Sequence, residues 1–81
     1  MSEKEVLLVV ELRDASPYQE EQFRQEMCSR DWQPMQDDRA LYAAFPETAT
    51  DSGIVRISES EISEAAQGSG IEEWEAVCVL A

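Results

Sequence analysis

The sequence predicts an α+β domain in which a four-stranded antiparallel sheet carries two helices on one face. Three observations predict it. The two most apolar, β-branched runs, Val6–Arg13 and Glu72–Leu80, stand near opposite ends of the 81 residues. Between them lie two stretches with helix-capping residues, one opening at Ser16-Pro17 and the other near Ser58. A polar turn, Gln36-Asp37-Asp38-Arg39, separates two further short runs that read as strands.

The first run, V-L-L-V-V-E-L-R, puts Val6, Leu8, Val10 and Leu12 on one side and Leu7, Val9, Glu11 and Arg13 on the other. A strand wholly apolar on one face and partly so on the other belongs in the middle of a sheet. Ser16 then suits an N-cap and Pro17 the first helical position, and Gln19 stands where it closes a capping box. The helix is expected from Pro17 to about Arg30, with Phe23, Met27 and Cys28 inward and Glu20–Arg24 and Glu26–Arg30 as pairs one turn apart. Trp32 and Met35 open a second strand that Pro34 confines to an edge. Ala40–Phe45 is a third, with Leu41, Ala43 and Phe45 on one face and Tyr42 and Ala44 on the other.

Pro46 to Gly53 reads as a loop. Ile54–Ile57 reads two ways: its β-branched residues favour a short extended segment feeding a helix that starts near Ser58, with Glu61 closing a second capping box, while Ile54, Ile57 or Ser58, Ile62 and Ala65 also approximate a helical stripe. That helix should stop before Gly68-Ser69-Gly70. The last strand alternates Trp74, Ala76, Cys78 and Leu80 with Glu73, Glu75, Val77 and Val79.

Strand, helix, strand, strand, helix, strand is the ferredoxin-like βαββαβ order, here one domain over residues 1–81. The hydrophobicity of the first and last strands predicts that these two are central. With both helices on one side, the other sheet face would present Leu7, Val9, Tyr42, Ala44, Val77 and Val79, an apolar patch that invites a second copy or a partner protein.

Charge is the most unusual property. Eighteen acidic residues stand against six basic ones, with no histidine, for a net charge of −12. No basic residue follows Arg56, whereas Glu59, Glu61, Glu64, Glu72, Glu73 and Glu75 do. Such a field repels nucleic acid and anionic membranes and attracts basic protein surfaces. No run approaches the roughly 20 apolar residues of a spanning helix, and M-S-E-K-E lacks the basic start of a secretory leader, so a cytoplasmic chain is expected. In that setting Cys28 and Cys78 are expected as reduced, buried, small hydrophobes.

The absence of histidine excludes Ser-His-Asp and Cys-His catalysis and ordinary zinc sites. No glycine-rich phosphate loop is present, and Asp37-Asp38 reads as a solvated turn rather than a cation site. One acidic constellation remains. Glu11 and Asp14 lie at and just past the end of the first strand, and two such sites across a dimer could hold Mg²⁺ for phosphodiester hydrolysis.

A first strand ending V-V-E-L-R-D-A-S-P-Y, then a helix, a W-x-P hairpin and a closing strand, resembles two ferredoxin-like groups. These are the GhoS-type antitoxin endoribonucleases and the small dimeric nucleases of CRISPR adaptation. The resemblance implies this fold and, through Asp14, metal-dependent nuclease activity.

The expected function is a non-enzymatic acidic regulator or inhibitor, without cofactor or metal. It would dock on a basic protein surface through Glu59, Glu61, Glu64, Glu72, Glu73 and Glu75. The alternatives are the nuclease using Asp14 with Glu11, and a ligand-sensing dimer with a pocket near Trp32, Tyr42 and Trp74.

Overall fold

A computed structural model describes residues 3–36 and 39–80; Asp37 and Asp38 of the expected turn lie outside the described residues. The elements follow as β1 (Glu3–Arg13), α1 (Pro17–Cys28), β2 (Gln33–Pro34), β3 (Ala40–Pro46), α2 (Asp51–Gly68) and β4 (Glu73–Leu80). The sheet order is β2-β3-β1-β4, every neighbouring pair antiparallel. This is the predicted α+β, ferredoxin-like arrangement. The split crossovers leave a one-strand gap in each βαβ unit, β3 filling one and β1 the other.

One placement differs from the sequence reading. The central strands are β1 and β3, and β4 pairs with β1 alone at an edge. Hydrophobicity misleads at β4 because its apolar residues are not buried by neighbouring strands. All eight of its residues are exposed or half-buried.

The core lies between the sheet and the helices. Val6, Leu8 and Val10 of β1 and Leu41 and Ala43 of β3 meet Phe23 and Met27 of α1 and Ile54, Ile62, Ala65 and Ala66 of α2. Opposite partners in antiparallel strands share a face, so Val6↔Ala43, Leu8↔Leu41 and Leu8↔Cys78 define the covered side. The alternation read from β1 therefore holds residue by residue.

α1 starts as expected. Ser16 Oγ accepts from the Gln19 N–H at 3.2 Å, and Gln19 Oε1 accepts from the Ser16 N–H at 2.9 Å. The helix ends at Cys28, and Asp31 takes φ +70°, a left-handed turn that aspartate tolerates better than most residues. That turn brings Trp32 inside, where its N–H donates to the Met27 carbonyl at 3.1 Å. Cys28 is exposed and Cys78 half-buried, not the two buried hydrophobes expected, because Cys28 falls on the outer flank of the last helical turn. Arg24 pairs with Glu21 rather than Glu20, while Glu26–Arg30 forms as read.

α2 is the largest correction. Ile54–Ile57 is helical, and Thr50, not Ser58, is the N-cap, its Oγ1 accepting from the Gly53 N–H at 3.0 Å. Ile54, Ser58, Ile62, Ala65 and Ala66 form one inward stripe at helical spacing. Ser58 is buried on it and donates to the Ile54 carbonyl at 2.7 Å, so it serves the helix interior rather than its start. Lys4 fixes this helix start to β1: its Nζ donates to the Ala49 carbonyl at 2.7 Å and lies 3.6 Å from Asp51.

Candidate functional site

Two surfaces collect the residues singled out from sequence. The first is the open side of the sheet. The pairs Leu7↔Tyr42, Leu7↔Val79, Val9↔Val77 and Glu5↔Ala44 put all six expected residues on one face, opposite the helices. Val9, Val77 and Val79 are 37%, 61% and 47% exposed. Glu5 edges the patch, its carboxylate accepting from the Tyr42 hydroxyl at 3.4 Å. Burial and the nearby carboxylates of Glu5 and Glu3 hold the Tyr42 phenol above its ordinary value.

The second surface is acidic and lies at the end of the sheet where β1 finishes and β4 begins. Asp14 follows β1 in a left-handed conformation, φ +54°. It lines a shallow hollow with Arg13, Gly70, Glu72 and Glu73. Glu75 adjoins them and takes the Arg13 guanidinium at 2.7 Å. Exposed pairs of this kind contribute about 0–1 kcal/mol. Among the described residues no guanidinium or ammonium group lies within ion-pair distance of Asp14, Glu72 or Glu73. The chain reaches this arrangement through Gly70, whose φ of +74° turns it from α2 into β4.

The chain matches no family model, no curated protein and no solved structure.

Glu11 and Asp14 do not share a pocket. Glu11 faces Glu75 across the sheet and lines a cleft of about 250 Å³ with Glu20, Arg24 and Arg39, where charges of both signs meet. Asp14 lies among Glu72 and Glu73. Among the described residues no three Cys, Asp or Glu side chains are grouped to hold a metal ion.

The six glutamates read as one docking surface are divided by the fold. Glu73 and Glu75 project from the open sheet face, whereas Glu59, Glu61 and Glu64 belong to α2 on the other side. Glu61 is half-buried and accepts from the Trp32 indole N–H at 3.0 Å, so it is committed to the interior. Helical periodicity carries the signal, since Glu61 lies one turn from Ser58 and from Ala65 and two turns from Ile54. Glu59 faces Cys78 across a small crevice; burial first, then this carboxylate, push the thiol above its ordinary 9.0, partly offset by a hydrogen bond with Ser58.

Trp32, Tyr42 and Trp74 line no common pocket. Trp32 is buried beneath α2 and meets Phe45 edge-on at 6.0 Å. Tyr42 is on the open face, and Trp74 is across β1 on the helix side.

Proposed function

We propose that this chain is a small, non-enzymatic interaction module that docks on a basic protein surface. The observation that carries the reading is the acidic end of the sheet. Asp14, Glu72 and Glu73 line one hollow there with Arg13 as its one basic residue, and the Arg13 guanidinium is taken by Glu75, so negative charge is in excess at this end in a chain of net charge −12. An excess of carboxylates over basic groups at one end of the sheet makes a negative field that draws a basic partner. The apolar open face begins beside Glu73 and Glu75, so one partner surface could bury valines and meet carboxylates together. Such a combination of apolar centre and charged rim is the ordinary anatomy of a protein interface. Nucleic-acid-binding proteins are the natural partner class, since their phosphate-binding grooves supply clustered lysine and arginine.

The test compares the wild-type chain with a variant in which Asp14→Asn, Glu72→Gln and Glu73→Gln are combined. Partners retained on immobilised wild type at low salt should be lost from the variant and at high salt. Retention equal for both chains would remove the acidic end from the function. Hydrolysis of RNA or DNA with Mg²⁺, abolished by Asp14→Ala, would replace this reading with the nuclease one.

A further inference from the structure

The register of β4 fixes which way its backbone points. Val10 donates its N–H to the Arg39 carbonyl at 2.8 Å, so the even-numbered residues of β1 turn their backbone groups toward β3. Leu7, Val9, Glu11 and Arg13 therefore turn theirs toward Val79, Val77, Glu75 and Glu73. The N–H and C=O groups of Trp74, Ala76, Cys78 and Leu80 are left pointing away from the sheet. Among the described residues no strand lies on that side.

Edges of sheets are usually blunted by proline, lysine, a bulge or shortness. The opposite edge is: β2 has two residues, one of them Pro34. β4 has eight, E-W-E-A-V-C-V-L, with no proline, lysine or bulge, and its two edge charges, Glu73 and Glu75, stand in its first half. Its apolar half is left uncovered, with Val77 61% and Val79 47% exposed.

We propose that β4 pairs antiparallel with β4 of a second copy about a twofold axis at Val77, joining two sheets into one of eight strands. Outward backbone groups must meet outward groups, so even-numbered residues pair with even-numbered ones. The register centred on Val77 sets Trp74 against Leu80 and Ala76 against Cys78, each twice, as hydrogen-bonded pairs. Centring on Ala76 or Cys78 loses a pair within the strand. The side chains are self-complementary in the Val77 register. On the helix side every pair is apolar. On the open side Val77 meets Val77 of the second copy, Glu75 meets Val79, and no carboxylate faces a carboxylate. All four helices stay on one side, and the two open faces become continuous. Self-pairing is opposed at long range by the net charge of −12 on each copy, so salt strengthens it. Docking on a basic protein has the opposite salt dependence, so this inference and the proposed function fail separately.

The solution mass of the full chain, measured across a salt series, should show a dimer whose share grows with salt. Ala76→Pro removes an outward N–H and spares the bonds to β1, and should weaken the dimer at least tenfold while the circular dichroism is unchanged. Val77→Lys, which keeps the N–H and puts two like charges on the axis, should do the same if proline disturbs folding. In a Cys28→Ser, Cys78→Ser background, Val77→Cys should form a disulfide dimer on mild oxidation and Val79→Cys should not. A monomer at every salt concentration overturns the proposal, as would β4 accepting only a basic strand from another protein. A dimer indifferent to Ala76→Pro and Val77→Lys, or cross-linking equally at 77 and 79, overturns it too.

Discussion

Trp32 is the largest fully buried side chain, and its indole N–H must find an acceptor where water is excluded. Glu61 supplies it, from a helix position that charge alone assigns to solvent. Glu61→Ala leaves that donor unpaired and should cost about 1–3 kcal/mol in urea unfolding, whereas Glu61→Gln keeps an acceptor and should recover most of it. Gly70 is a second such residue. At φ +74° an alanine is strained, and Gly70→Ala should lower stability by about 1 kcal/mol by the same measurement. Cys78 provides a pH dependence. Its thiol is favoured in the folded state, so that contribution is whole below the ordinary 9.0 and is lost as pH rises through the folded value. Alkaline titration of the melting temperature should therefore fall more steeply for wild type than for Cys78→Ala. Equal slopes would mean that the thiol is not desolvated.

The two helices show what was legible at the level of elements. α1 announces itself locally: Ser16, Pro17 and Gln19 make a start that needs no tertiary partner, and the structure has it at that position. α2 does not. Ile54, Val55 and Ile57 carry strand propensity, but Ile54 and Ile62 gain burial two turns apart on a helix, and apolar burial outweighs propensities of a few tenths of a kcal/mol per residue. The Ser58–Glu61 spacing that mimics a capping box results from one residue back-bonding in mid-helix and the other reaching Trp32. Thr50→Ala should then cost about 1 kcal/mol as the loss of a true cap. Ser58→Ala should leave the helix start intact, seen as unchanged amide protection of residues 51–54. Loss of that protection would return the cap to Ser58.

For the molecule as a whole, the two faces of β1 give the sharpest contrast. Leu8 is 1% exposed in the centre of the core, and Leu8→Asp buries an unpaired charge that should abolish folding, visible as loss of the cooperative melt. Val9, on the open face, should accept aspartate with its fold intact, with the loss appearing in association instead. A Val9→Asp chain that unfolds as Leu8→Asp does would mean that the open face is covered in the native protein. The acidic end belongs to this scale also. Asp14 and Glu72 are far apart in sequence, and only the return of the chain through Gly70 into β4 sets them in one hollow.

Periodicity by itself determined β1, β3 and β4, which face of each is inward, and the first helix with its cap, because these depend on neighbours two to four residues away. The order of the strands, the true start of α2 and the edge position of β4 were decided only by the tertiary structure. Hydrophobicity records that a residue gains by leaving water; it does not record whether a neighbouring strand, a helix or a second molecule is what removes it.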